Sequence, residues 1–267
     1  MLGRTLFIGA GAMGGAILKG ALSNGLLKQS DLHVVVHSKA HAEALAAELQ
    51  ITTSTEIANL NQFKTIVLAV KPQVLTSILP SLQGLANNTT VISIAAGITL
   101  ETLTTALPQV AWYRAMPNTP VAVGAGMTAL TEGQFATPEK TTAVKNLFAS
   151  IGEVALVSEL DLDRLGALSG AGPGYAYVIM DALADAGVRI GLPRSLAVKA
   201  AAQTLYGAGL MALETGEPPA VLRDQVTSPG GTTIAGIAAM EAGGLRSSLH
   251  AGVVACYNRS NELGSKK

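Results

Sequence analysis

The chain has 267 residues, 18 basic and 18 acidic side chains, 49% apolar residues and a single cysteine, Cys256. A formal charge of zero leaves no surplus of Lys or Arg to neutralise a phosphate backbone, which argues against nucleic-acid binding through a basic face. One cysteine makes neither an internal disulfide nor a Cys-rich metal module and points to a reducing, cytoplasmic setting.

The first half alternates short apolar runs with helical patterns. Strands are expected over residues 5–10, 32–36, 65–70, 91–96 and 111–116, each too short and too continuously apolar for anything but a sheet buried on both faces. Between them, residues 14–24, 40–49, 73–82 and 100–107 read as helices, so the alternation specifies a doubly wound parallel sheet. Runs at 126–130 and 153–157 extend the sheet at one edge, flanking a helix at 138–149 with Thr137 as N-cap and Pro138 at its first position.

Beyond residue 160 the β-branched runs disappear and long Ala/Leu/Gly segments take over, which makes the second half all-helical. Helices such as 195–213 are apolar nearly all round, so association with another subunit is expected to cover them. With 29 Gly and few aromatics, these helices are expected to approach closely through small residues. No uninterrupted apolar run reaches the ~18 residues of a spanning helix; the best, around Tyr175 to Val188, carries Asp181 and Asp185. Only the tail 264–267 looks disordered.

Residues 5–18 could pass for the apolar core of a signal peptide, but four of these positions are Gly, in a spacing with a better explanation. Gly9-Ala10-Gly11-Ala12-Met13-Gly14 follows the first strand and opens the first helix, the context of a dinucleotide site. There Gly9 permits the turn, Gly11 lets a pyrophosphate approach the backbone, Gly14 lets helix pack on strand, and the helix start offers N–H groups to the anion. An NAD site places an acid at the end of the second strand, whereas this chain has His37-Ser38-Lys39. A lysine in a helix's first turn opposes the helix dipole unless an anion joins it, so Ser38 and Lys39 read as selectors of the NADP 2′-phosphate, with NADPH preferred over NADH.

Lys71, Ala95-Ala96 and Met116-Pro117-Asn118 end later strands, where open α/β sheets place ligands. The two alanines leave room for a flat nicotinamide, and Asn118 can bond a carboxamide or a ribose. Lys71 is either a ribose contact or a solvated helix-start residue. Ser228-Pro229-Gly230-Gly231-Thr232-Thr233 introduces a helix, and Gly230, Gly231 and Thr232 are expected to aim N–H groups at a small carboxylate, with the Thr233 hydroxyl beside it. On spacing alone the same turn reads equally as a plain helix start. No His, Lys or carboxylate pair accompanies it, which suits an imine that arrives protonated better than a carbonyl whose alkoxide needs a proton donor. His33, His37 and His41 straddle a strand, its end and a helix, so no metal site is expected.

These segments resemble the Δ1-pyrroline-5-carboxylate reductase family over essentially the whole chain. Those carrying the resemblance are Phe7-Ile-Gly-Ala-Gly-Ala-Met-Gly14, Ala69-Val-Lys-Pro-Gln73, Ala95-Ala-Gly97, Met116-Pro-Asn-Thr-Pro120, Leu168-Ser-Gly-Ala-Gly-Pro-Gly-Tyr175, Asp181-Ala-Leu-Ala-Asp-Ala-Gly187 and Asp224-Gln-Val-Thr-Ser-Pro-Gly-Gly-Thr-Thr233. The resemblance implies NAD(P)H-dependent reduction of 1-pyrroline-5-carboxylate to L-proline, the last step of proline biosynthesis. It implies an NADP-binding Rossmann-type domain over 1–159 and an all-helical substrate-binding and dimerisation domain over 160–267, interlocked into homodimers that often build decamers. It also implies cofactor contacts from Ile8, Gly9, Ala10, Gly11, Ala12 and Met13, from Ser38, from Ala69, Val70 and Lys71, and from Ile94, Ala95 and Ala96. Thr233 would bond the ring nitrogen, and the turn from Ser228 through Gly230, Gly231, Thr232 and Thr233 would seat the carboxylate. Two other readings compete. A β-hydroxyacid dehydrogenase shares the glycine turn but requires a catalytic Lys shortly after its second glycine motif, and residues 172–178 have none. A non-catalytic NADP-binding protein would have no need of Thr233.

Overall fold

The computed structural model describes residues 2–265. Eight strands form one sheet: β1 (Thr5–Ile8), β2 (Leu32–Val35), β3 (Thr52–Ser54), β4 (Thr65–Leu68), β5 (Thr90–Ser93), β6 (Ala111–Met116), β7 (Gly126–Glu132) and β8 (Gly152–Leu156), in the order β3-β2-β1-β4-β5-β6-β7-β8. Every pairing is parallel except β6 with β7. Alternate strand residues feed the two faces. Phe7, Val34, Val67, Ile92 and Tyr113 pack under helices α1 (Ala12–Ser23), α2 (Lys39–Leu49) and α5 (Pro138–Ala149). Leu6, Val35, Ile66, Leu68, Val91 and Trp112 pack under α3 (Pro72–Ile78) and α4 (Leu100–Ala106). This is the doubly wound sheet expected from the alternation, extended at one edge by β7 and β8.

The structure differs from the sequence reading in places with local causes. Strand β3 has no apolar signature, because its three residues Thr-Thr-Ser form an edge held by pairing with β2 and by Thr53 Oγ1 donating to Ala42 O at 2.9 Å. The helix expected over 73–82 ends at Ile78, and Leu79–Leu82 continue as a 3₁₀ turn, since Pro80 has no N–H for the next i→i−4 bond. Helix α1 starts at Ala12, so Gly14 lies inside it. Residues 69–71 and 94–96 lie beyond their strands, in the turns that follow.

By contact, one compact unit runs to Ala171 and takes in 257–265, and the second is Gly172–Cys256. Helix α6 (Glu159–Leu165) stays with the sheet because Arg114, 2% exposed on β6, pairs through Nη1 with Glu159 and through Nη2 with Asp163 at 3.1 Å. Glu159 also accepts from Leu100 N at 2.6 Å, at the start of α4. A π-turn, Gly166–Gly170, follows α6.

The second unit holds α7 (Gly172–Arg189), α8 (Arg194–Thr215), α9 (Pro219–Gln225), α10 (Thr232–Ala242) and the first part of α11 (Leu245–Ser265). Helices α7 and α8 approach through small side chains: a Cβ on Gly187 would lie 2.9 Å from Ala197 Cβ, and Ala184, Ala197 and Ala201 are buried. Large apolar groups remain exposed in the single chain, among them Val178, Ile190, Tyr206 and Leu213. Helix α8 is long and apolar enough to cross a bilayer by length and composition, a test that the core helix of a soluble protein also passes. Helix α11 includes Gly264 and Ser265 of the tail expected to be disordered; the last two residues lie outside the described residues.

Removing a carboxylate from the Arg114 cluster is more damaging than removing its buried cation. Glu159→Ala leaves the guanidinium with one partner and Leu100 N–H with none, and is expected to cost about 2 kcal/mol, whereas Arg114→Met, of similar volume, costs less. Urea unfolding midpoints check the ranking, and the reverse order refutes it.

Candidate functional site

In the sheet unit, the predicted residues gather at the carboxyl ends of five adjacent strands, β2-β1-β4-β5-β6. The chain crosses from one side of β1 to the other between β3 and β4, which makes the β1/β4 crevice the switch point of the sheet. Gly9, directly after β1, has φ +94°, and its N–H donates to Val35 O at 2.8 Å. A Cβ there would sit 2.4 Å from Ala69 O, and one on Gly14 would sit 2.7 Å from Ala69 Cβ. Both glycines are therefore demanded by the approach of β1, β4 and α1. Gly11 differs: it is the N-cap of α1 with no side-chain cap, and a Cβ on it meets nothing within 4 Å. No contact among the described residues requires glycine there. With Ala12, Met13 and Gly14 opening the helix, the turn leaves uncapped N–H donors facing outward, the arrangement that holds an anion.

Ser38 is the N-cap of α2, its Oγ accepting from His41 N at 3.3 Å, and Lys39 is the first helical residue. The Lys39 side chain is 88% exposed, its one ionic partner among the described residues being Glu43 at 3.9 Å, and no acid occupies the first turn of α2. The expected placement of a cation against the helix dipole holds. Ala69 and Val70 follow β4, with Ala69 N donating to Ile8 O at 2.8 Å, and Lys71 caps α3 through its backbone carbonyl, which accepts from Val74 N and Leu75 N, both at 2.9 Å. Its side chain is exposed. After β5, Ala95 is buried and Ala96 exposed, with Ile94 N bonded to Leu68 O at 3.2 Å. Asn118 departs from the expectation of a free carboxamide: Nδ2 donates to Ser169 O at 2.9 Å and Oδ1 accepts from Met127 N at 2.8 Å. A cleft of about 720 Å³ borders Ala10, Gly11 and Ala12 but runs along the outer side of α1 toward α2 and residues 121–124, without reaching Ala69, Ala95 or Asn118.

In the helical unit, Gly230 has φ +67°, and Gly231 N donates to Ser228 O at 3.0 Å, closing the turn before α10. A Cβ on Gly231 would lie 2.3 Å from the rotatable Ser228 Oγ and 3.1 Å from the backbone Ser228 O, a tight approach on that side of the turn. The Gly231 N–H is thus spent, which corrects the expected donor set. The first intrahelical bond is Ala235 N to Gly231 O at 3.3 Å, leaving the N–H groups of Thr232, Thr233 and Ile234 open with no side-chain cap. Thr233 is exposed on this turn. Tyr175, on α7, bonds Cys256 on α11, and this contact together with burial pushes its pKa up to about 12.

The residues that sequence reasoning missed are Arg114 with its two carboxylates and the Ser169 carbonyl bonded by Asn118. A lone Arg in an apolar strand was the available signal for the first. Among the described residues no cluster of His, Cys, Asp and Glu has a metal-holding geometry. His33 instead lies 2.8 Å from Ser54 Oγ and edge-on to Phe63, and burial together with Arg4 lowers its pKa.

Residues 159–263 match the family model described as pyrroline-5-carboxylate reductase dimerisation, and residues 4–97 match the model of NADP oxidoreductases, coenzyme F420-dependent. The pyrroline-5-carboxylate reductase of Synechocystis sp. is 43% identical over 262 residues, 97% of each chain. Among solved structures, a pyrroline-5-carboxylate reductase from Coxiella burnetii aligns with a TM-score of 0.91 at 32% identity, over 98% of this chain and 99% of that one. The Plasmodium falciparum pyrroline carboxylate reductase, solved with NADP bound, aligns with a TM-score of 0.86 at 27% identity over 98% of each. A prephenate dehydrogenase from A. aeolicus, at 15% identity and a TM-score of 0.54, shares the fold alone. With whole-length identity of this order to a reductase and the dimerisation model spanning the helical half, the chain belongs to the pyrroline-5-carboxylate reductase family.

Proposed function

We propose that the chain reduces 1-pyrroline-5-carboxylate to L-proline with NADPH as hydride donor, closing proline biosynthesis. The observation that carries the reading is the start of α10, where three open N–H groups and the Thr233 hydroxyl share one turn with no acid–base side chain in it. A carboxylate seated on those donors leaves the ring nitrogen within reach of the hydroxyl, which orients it. In the balance of the reaction, hydride adds to the imine carbon, the C=N π pair goes to nitrogen, and an imine that arrives protonated becomes a secondary amine without a proton from the protein. The task left to the residues is positioning, with reacting atoms held at ~3–3.5 Å.

The nucleotide half fits a phosphorylated dinucleotide by its donor chemistry. Gly11 leaves the space a pyrophosphate takes above the α1 donors, and the β2 end offers the Ser38 hydroxyl and the Lys39 cation in place of a ribose-binding acid. Bound there, NADPH supplies the hydride. Gly9, Ala10, Ala12, Met13 and Ile8 line the turn, and Ala69, Val70, Lys71, Ile94, Ala95 and Ala96 form the remaining strand-end contacts in this reading. The β-hydroxyacid dehydrogenase alternative lacks its lysine: α7 contains none. The protein acts as a homodimer or higher homo-oligomer. An apolar cavity of about 480 Å³ between α7, α10 and α11, lined by Tyr175, Val178, Leu183, Met240 and Leu249, gives a second copy a surface to cover. Its single free thiol, Cys256, suits the reducing cytoplasm.

NADPH oxidation dependent on pyrroline-5-carboxylate tests the assignment directly, and a purified protein without it ends the reading. In the same assay Thr233→Ala should lower kcat by a factor corresponding to on the order of 1–3 kcal/mol while NADPH affinity stays intact; unchanged turnover removes Thr233 from the mechanism. Lys39→Ala should weaken NADPH roughly fivefold, about 1 kcal/mol, and leave NADH nearly untouched, whereas equal losses would put the 2′-phosphate elsewhere. The two glycines separate fold from binding. Gly14→Ala should destabilise the protein by roughly 1–3 kcal/mol, while Gly11→Ala should melt like wild type and bind NADPH at least tenfold more weakly. Titration of NADPH fluorescence and thermal melts read both variants, and tight binding by Gly11→Ala would contradict the pyrophosphate seat.

A further inference from the structure

Three residues spaced two apart at the end of β6 hold one downstream segment. Arg114 pairs with Glu159 and Asp163; Met116 is the side chain that a Cβ on Gly166 or Gly170 would meet, at 3.7 and 3.9 Å; Asn118 donates to Ser169 O at 2.9 Å. Asn118 lies in extended backbone just past the strand, so the alternation of the strand continues to it. The segment they hold ends in the π-turn Gly166–Gly170, closed by Ala171 N donating to Gly166 O at 3.0 Å. Such turns are rare and concentrate at functional sites, because a helix adopts one only when something outside it stabilises the departure.

The Ser169 carbonyl has a specific need for an outside donor. The residue four places on is Pro173, which has no N–H to give it. The Ser169 hydroxyl is turned the other way, donating to Leu165 O at 2.9 Å. Asn118 Nδ2 supplies the missing bond, while its Oδ1 holds Met127 N at the start of β7. A carboxamide that is 8% exposed with both ends engaged inside the chain is built as a brace rather than as a cofactor ligand.

Its location gives the brace a part in the reaction. With the 2′-phosphate side at β2 and the pyrophosphate at the β1 turn, the nicotinamide half of a dinucleotide falls over β5 and β6. We propose that Asn118 is a positioning residue for hydride transfer: it joins the Met116–Pro120 loop to the π-turn by bridging Ser169 O and Met127 N, and thereby sets the backbone around the nicotinamide. The proposal rests on the reduction argued above. NADPH affinity, which comes mainly from the adenosine and phosphate contacts, is insensitive to it; turnover is not.

The test compares wild type, Asn118→Ala and the double variant Asn118→Ala/Pro173→Ala, which restores a backbone N–H four residues after Ser169. Expected are a loss of kcat of at least tenfold in Asn118→Ala with NADPH dissociation constant within twofold of wild type, and recovery of several-fold in kcat on adding Pro173→Ala. A dissociation constant that rises in step with the loss of kcat would make Asn118 a cofactor ligand and overturn the proposal, as would unchanged kcat or the absence of rescue. Should Asn118→Ala fail to accumulate folded, Asn118→Ser, whose hydroxyl is too short to span both partners, carries the same comparison. Amide exchange separates this failure from failure of the proposed reduction. If wild type turns over no pyrroline-5-carboxylate, the reduction falls, and faster exchange of residues 166–171 in the variant still upholds the brace while unchanged exchange refutes it.

Discussion

The contact of Gly9 and Gly14 with Ala69 is the constraint on which the nucleotide half depends. At that point β1, β4 and α1 come so close that a methyl group on either glycine would meet Ala69 at under 3 Å. The closeness lets α1 begin immediately over the switch point of the sheet, with its uncapped N–H groups at the carboxyl edge where the other strand ends also arrive. A bulkier turn would displace the helix start and with it the anion seat. Gly11 shows the other side of the same design, since it is the one glycine of the motif whose side of the backbone is open.

The helical half is governed by a different constraint. Its helices pack on one another through Ala and Gly, which brings backbones together but buries little apolar area per contact, and large aliphatic groups stay exposed on α7, α8 and α10. A helix apolar nearly all round has little solvated face to offer, so association with a second copy covers what the single chain leaves exposed. The match of residues 159–263 to a dimerisation model is the family-level expression of that physics. The short helix start at Thr232 sits within this unit, where small residues again leave backbone donors accessible.

Arg114 and Asn118 show how the sheet unit holds its downstream segment. Each presents a polar group from β6 or its end to residues between 159 and 170, one through charge and one through a carboxamide that replaces a donor lost to proline. Neither was legible beforehand. A single Arg in the apolar run Ala-Trp-Tyr-Arg-Ala-Met signals a buried charge but names no partner until those 45 and 49 positions away are placed beside it. The donor set at α10 was misread for a similar reason: Gly231 N–H looks free in the sequence, and only the closure of the turn on Ser228 O spends it.

By itself the amino-acid sequence determined the order of strands and helices, the parallel sheet with its edge extension, the glycine turn, the capping of α5 by Thr137 and the family motifs. These are local or periodic properties, set by side-chain alternation, proline and glycine geometry, and the pairing of a cap with the next few residues. Strand β3, the company of Arg114 and the double engagement of Asn118 were decided only by tertiary structure. Each depends on a partner far along the chain or on a turn whose closure no short window contains, and hydrogen bonds of that kind leave no period in the sequence to read.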